Sequence, residues 1–133
     1  MEIQFTDEEK EQIELKVIEL CKLYPNAVYK PEFNRNKPRC LYSQYPVENG
    51  PETPGCIVGQ AIRLVCPDKF KMIEDWEQNG FMKDGNKDYC VGSAAYLLNL
   101  DINKAHVVNI IQSQQDAGNS WGESLKLAKF LIK

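Results

Sequence analysis

The chain has 133 residues, with 16 basic and 19 acidic side chains and a net charge of -3. Apolar residues at 43% and charged residues at 26% exclude bulk disorder. A pI near 5.2 excludes a uniformly basic nucleic-acid coat but leaves room for a local basic patch. The length fits one domain over residues 1–133, able to bury roughly two-thirds of its unfolded surface without a disulfide or metal staple.

The first residues, Met1 to Glu9, carry neither the basic start nor the apolar core of a signal peptide. No apolar run approaches the roughly 18–20 residues that span a bilayer. The five cysteines (Cys21, Cys40, Cys56, Cys66 and Cys90) are odd in number and form no CxxC pair. These features together predict reduced thiols and a cytoplasmic protein with no membrane partner.

The first predicted helix runs from about Asp7 to Tyr24. Thr6 and Glu9 have capping-box spacing, and Asp7, Glu8 and Glu9 sit at the positive end of the helix dipole. Ile13, Val17, Leu20, Cys21 and Tyr24 recur at helical spacing, and Pro25 stops the run. Residues 26–53 change character, holding Pro31, Pro38, Pro46 and Pro51, with Pro25 at the edge. Ala27–Lys30 and Cys40–Ser43 read as two short strands of an irregular hairpin.

A second helix is expected to open near Pro54, with Thr53 as its cap. Ile57, Val58, Ala61, Ile62 and Val65 give it a broad apolar face, so it should be central. Gly55 and Gly59, four apart, expose backbone on one side and allow close approach. Pro67 opens a third helix with Phe70, Ile73 and Trp76 inward, ended by Asn79–Gly80. Asp84–Gly85 is a turn that suits a second small hairpin.

Ser93–Leu98 reads as a short buried helix. Asp101 is the expected cap of a helix running to Ala117, with Val107, Val108, Ile111 and Gln115 toward the core. Gly118 is its expected left-handed terminator. Ser120 and Glu123 make a second capping box for a last helix lined by Trp121, Leu125, Ala128 and Ile132. The sum is an α+β fold, mainly helical, with one or two small β-hairpins.

Several chemistries fail on spacing. Asp84, Asn86 and Asp88 imitate a calcium loop, but its sixth and twelfth places hold Tyr89 and Ala95 rather than Gly and Glu. The cysteines and the sole histidine, His106, lack zinc-ligand spacing. There is no Walker A loop, GxGxxG or GxSxG. Cys56 at a helix start with His106 as base would make a thiol dyad, but the default is a Cys56 packed in or near the core and a His106 on the surface. No metal, cofactor or catalytic residue is predicted.

The most suggestive stretch holds Lys30, Arg35, Lys37 and Arg39 within ten residues, interleaved or flanked by Tyr29, Phe33, Tyr42 and Tyr45. Cations beside aromatics suit a phosphate and a stacked base. Thr53, Gly55 and Cys56 add N–H groups at a helix start, an anion-favouring place, with Gln60 one turn on. The predicted ligand site is therefore Lys30, Phe33, Arg35, Lys37, Arg39, Tyr42, Thr53, Gly55, Cys56 and Gln60. Gln60, Gln112, Gln114, Gln115 and Asp116 form a second polar set, read as a structural network, with Arg63 as the candidate partner of Asp116.

Pro54-Gly55-Cys56-Ile57-Val58-Gly59-Gln60-Ala61 and Gln112-Ser113-Gln114-Gln115-Asp116-Ala117-Gly118-Asn119-Ser120-Trp121-Gly122-Glu123 together resemble short proteins of unknown function encoded by tailed phages and bacterial mobile elements. The resemblance covers about twenty residues and implies a small accessory protein in a host cytoplasm. It carries over no catalytic residue. The expected function is non-catalytic: stoichiometric binding, for sequestration or sensing, of an anionic nucleotide-like small ligand. Sequence-specific nucleic acid is not an expected partner. The alternatives are an inhibitor or adaptor that binds a host protein, and, third, a cysteine-dependent hydrolase. A homo-oligomer with a ligand between protomers is compatible with all of these.

Overall fold

The computed structural model describes residues 3–30, 42–43, 45–75, 77, 94–101 and 103–132. Helix α1 spans Asp7–Leu23. Its capping box forms as expected: Glu9 N–H donates to Thr6 Oγ1 at 3.1 Å and Thr6 N–H to Glu9 Oε1 at 2.8 Å. Ile13, Val17, Leu20 and Cys21 are buried, which is the stripe the spacing predicts.

After the turn at Pro25 and Asn26, β1 (Val28–Tyr29) pairs antiparallel with β2 (Val47–Glu48), Val28 opposite Glu48 and Tyr29 opposite Val47. Of the expected partner strand Cys40–Ser43, residues 40 and 41 lie outside the described residues, and β1 takes β2 rather than Tyr42–Ser43 as its partner. Tyr42 and Ser43 are not in a strand, because their N–H groups are taken by a carboxylate described below.

Helix α2 is Ile57–Val65, with Cys56 as N-cap, three residues later than the Pro54 start the sequence suggests. Gly55 explains the delay: its φ of +121° lies outside the right-handed helical region. Ile57, Val58, Gly59, Gln60, Ala61 and Ile62 are all buried, so α2 is the central helix. Cys66 separates it from α3, Pro67–Asp75, whose Phe70 and Ile73 are buried as expected. Trp76, Asn79–Gly80 and the turn at Asp84–Gly85 lie outside the described residues.

Helix α4 is Ala94–Leu97. Helix α5 is Val107–Asp116 with His106 as N-cap, five residues later than the expected cap at Asp101. Asp101 is engaged locally instead. Its Oδ1 accepts from Asn103 N–H, and its carbonyl meets Lys104 N–H and the His106 ring. Gly118, at φ +100°, ends the helix as predicted. Helix α6 is Trp121–Ile132. Its first N–H groups are satisfied by Ala27 O, Pro25 O and Ser120 Oγ, the last being the serine half of the expected capping box.

The largest helix contacts are α5 with α6 and α1 with α2; α2 also packs on α3, and α1 on α6. The core cluster joins α1, the hairpin, α2, α3, α4, α5 and α6, with Trp121, Ile13, Ile57, Ile62 and Ile111 among its largest fully buried side chains. The fold is thus mainly helical with one small antiparallel sheet among the described residues, the α+β class expected. Among these residues no helix is long and apolar enough to cross a membrane.

Candidate functional site

The start of α2 is the meeting point of most described members of the predicted site. Its free N–H groups are those an anion would use, and the protein uses them itself. Ile57 N–H donates to Gln115 Oε1 at 2.8 Å, and Val58 N–H to Gln112 Oε1 at 3.4 Å. Both glutamines reach across from α5 and are buried. Gln115 Oε1 also accepts from Trp121 Nε1 at 3.1 Å, while its Nε2 donates to Asp116 Oδ1. Gln112 Nε2 donates to Cys56 Sγ at 3.0 Å. Neutral amides therefore occupy the positive end of the helix, where the sequence suggested an anion.

Gly55 and Cys56 are buried beneath this arrangement. Gly55 N–H donates to Tyr45 O at 2.9 Å, so it too is engaged. Gln60 is 3% exposed and works as a local brace. Its Nε2 donates to Thr53 O and Gly55 O, and its Oε1 accepts from Thr53 Oγ1 and Arg63. Thr53, Gly55, Cys56 and Gln60 are brought together, but as the wall of the site rather than as free ligand contacts. Arg63 donates also to Pro54 O and lies over the Phe70 ring at 4.3 Å; it is not the partner the sequence proposed for Asp116.

The small-residue stripe does receive a close neighbour, and it is the chain itself. A methyl group on Gly59 or Gly55 would overlap the Tyr42 carbonyl oxygen. On the other side of that segment stands Glu77. Its Oε2 accepts from Tyr42 N–H at 2.7 Å, and its Oε1 from Ser43 N–H at 3.0 Å and from Ser43 Oγ. Glu77, Tyr42 and Ser43 are all buried. Burial pushes the Glu77 carboxyl above its ordinary range, opposed by the three hydrogen bonds. Tyr42 and Ser43 are thus held between a carboxylate and a glycine-faced helix.

This clamp fixes one root of the basic stretch. The other root is Lys30, whose N–H donates to Pro46 O at 3.0 Å and whose exposed Nζ lies 4.0 Å from Glu48. Phe33, Arg35, Lys37 and Arg39 lie outside the described residues. Glu77 was not found by sequence reasoning. It stands two residues past α3 in a polar context, and nothing there distinguishes a buried carboxylate from a solvated one.

The other polar groups are separately engaged. Cys21, Cys56 and Cys66 are free and buried. His106 bonds Asp101 O while Cys56 is met by Gln112, so each half of the considered dyad has another partner. Glu9 Oε1 accepts from Lys69 Nζ and its Oε2 from Cys66 Sγ at 3.3 Å. The Lys69 bond, then the Thr6 N–H, holds the Glu9 carboxyl down at about 2, and burial followed by Glu9 pushes the Cys66 thiol up to about 11. No group of three or more His, Cys, Asp or Glu among the described residues is placed to hold a metal ion. No family model, curated protein or solved structure matches the chain.

Proposed function

We propose that this protein acts by stoichiometric binding of an anionic, nucleotide-like small molecule through the basic stretch from Lys30 to Arg39, which carries Phe33 and is flanked by tyrosines. The chemistry comes from the sequence: four cations and Phe33 concentrated within ten residues of a chain whose net charge is -3. The observation that supports it is the anchoring of both roots, Lys30 on Pro46 O and Tyr42–Ser43 on Glu77. A binding segment held at both ends loses less conformational entropy when it closes on a ligand. The phosphate contacts are assigned to Lys30, Arg35, Lys37 and Arg39, because the α2 N–H groups are already used by Gln112 and Gln115. The setting we propose is a host cytoplasm, with the chain as a phage-type accessory protein, on the resemblance described above.

Titration calorimetry with Arg35→Ala and Arg39→Ala tests the assignment. Each variant should lose about tenfold or more in nucleotide affinity, the range of a charge-assisted hydrogen bond, while melting like the parent chain. Full affinity in both variants contradicts the site.

A second reading, an inhibitor or adaptor for a host protein, is favoured by the large apolar side chains left exposed, among them Leu23, Leu64 and Met72. It predicts saturable binding with a salt-sensitive on-rate and no response to nucleotides. The third reading, a thiol hydrolase, is disfavoured by a Cys56 that is 0% exposed.

A further inference from the structure

The turn that leaves β2 reads Glu48, Asn49, Gly50, Pro51. Asn49 is exposed and takes φ +61°, a left-handed conformation that asparagine and aspartate adopt more readily than other side chains. The packing favours glycine after it: a Cβ on Gly50 would press on Val47 Cγ1 and Ala27 Cβ. The Asn49 side chain and the Gly50 N–H make no hydrogen bond among the described residues. An exposed amide therefore precedes a backbone nitrogen that is unbonded and has no side chain of its own to shield it. The other described asparagines differ. Asn99 donates to Gln4 and Asn119 to Gln114, Asn109 lies within α5, and Asn26 and Asn103 precede Ala27 and Lys104, whose side chains crowd the nitrogen that follows the asparagine.

We infer that Asn49 is a site of spontaneous deamidation, with water as the only co-reactant. The Gly50 nitrogen gives up its proton and bonds to Asn49 Cγ, and the side-chain nitrogen leaves as ammonia, closing a succinimide ring. Water then adds to one of the two ring carbonyls. Opening at Cγ gives an aspartyl residue; opening at the main-chain carbonyl gives an isoaspartyl residue, whose chain runs on through Cγ. The net change is an amide and water giving a carboxyl and ammonia, with nothing oxidised or reduced. The aspartyl product suits the left-handed turn as asparagine does, so it accumulates in a folded chain. Its carboxylate stands next to Glu48, whose Oε2 lies 4.0 Å from Lys30 Nζ. The reaction thus adds negative charge at one root of the basic stretch. On the proposed reading of that stretch, nucleotide affinity should fall as the converted fraction rises; the deamidation itself does not depend on that reading.

Ageing the full chain in neutral buffer at physiological temperature, followed by tryptic digestion and mass mapping, tests this. The tryptic fragment of residues 40–63 holds Asn49 as its only asparagine. It should gain the mass of one amide-to-acid exchange and split into two products on chromatography, one of them positive for isoaspartate. The fragments carrying Asn99 and Asn119 should keep their masses over the same period. Asn49→Gln should abolish the change in fragment 40–63, because the larger ring closes far more slowly, and Asn49→Asp should melt like the parent chain. A 40–63 fragment that stays unmodified in the folded chain overturns the inference. So does conversion at Asn99 or Asn119 as fast as in fragment 40–63, or conversion of that fragment that persists in Asn49→Gln.

Discussion

Gln115 Oε1 accepts simultaneously from Ile57 N–H at 2.8 Å and from Trp121 Nε1 at 3.1 Å, so one buried side-chain oxygen on α5 ties the start of α2 to the start of α6. Replacing it with Leu leaves two buried donors unsatisfied at roughly 1–3 kcal/mol each. Gln115→Leu should lower stability by about 2–5 kcal/mol in denaturant unfolding and shift the Trp121 fluorescence.

The Glu77 clamp should be the larger determinant of how the basic stretch is held. Glu77→Gln keeps the shape but presents an amide hydrogen to at least one of the Tyr42 and Ser43 donors. We expect a loss of about 1–3 kcal/mol and faster proteolysis near residue 42, measured with the rest of the fold intact by circular dichroism.

Gly59 should be the least replaceable of the described glycines. Any Cβ there meets backbone at Tyr42, so Gly59→Ala should cost about 2–4 kcal/mol through forced separation of α2 from the clamped segment. Gly118→Ala meets nothing and should cost only about 1 kcal/mol, for its positive φ. Thermal unfolding of the two variants gives the comparison.

Two carboxylates should pull the pH dependence of stability in opposite directions. Glu9 is depressed from 4.5 to about 2 in the folded chain, so its contribution is present above about 4.5 and is lost as pH falls toward 2. Glu77 is raised by burial, so its contribution is greatest below 4.5 and declines as pH rises through its folded value. The melting-temperature gap between the parent chain and Glu9→Gln should therefore close between pH 4.5 and 2. A gap that stays constant over that interval contradicts the Lys69–Glu9–Thr6 assignment.

Local signals were legible where one segment decides the outcome. Thr6 with Glu9, the Ile13–Val17–Leu20 stripe, Gly118 and the Ser120 cap all act within one helix or its edge. The start of α2 differs from the sequence reading because Gly55 turns the chain out of the helical region and Gln112 and Gln115 then cap the helix from α5, and that of α5 differs because Asp101 spends its groups on a local turn. The strand partner of Tyr29 was misassigned for a related reason. Cys40–Ser43 has strand-like residues, but Glu77 takes the N–H groups of Tyr42 and Ser43 and β2 falls at Val47–Glu48. The Gly55–Gly59 spacing announced a close approach without naming the approaching segment. Gln112, Gln115 and Asp116 form the polar network that the sequence suggests, but Gln60 braces Thr53 and Gly55 and Gln114 meets Asn119 instead, and nothing in the sequence marks the network as what closes the α2 terminus to anions.

The central claim is that Lys30–Arg39 binds an anionic nucleotide-like molecule. A thermal-shift screen of the full chain against mono-, di- and cyclic nucleotides tests it most directly. A ligand present at a hundred times its dissociation constant adds about 2.7 kcal/mol, or roughly 5–15 °C for a domain of this size. The account predicts such a shift for at least one nucleotide, abolished by Arg35→Ala. A flat response across the panel, or a shift that survives Arg35→Ala and Arg39→Ala, contradicts it.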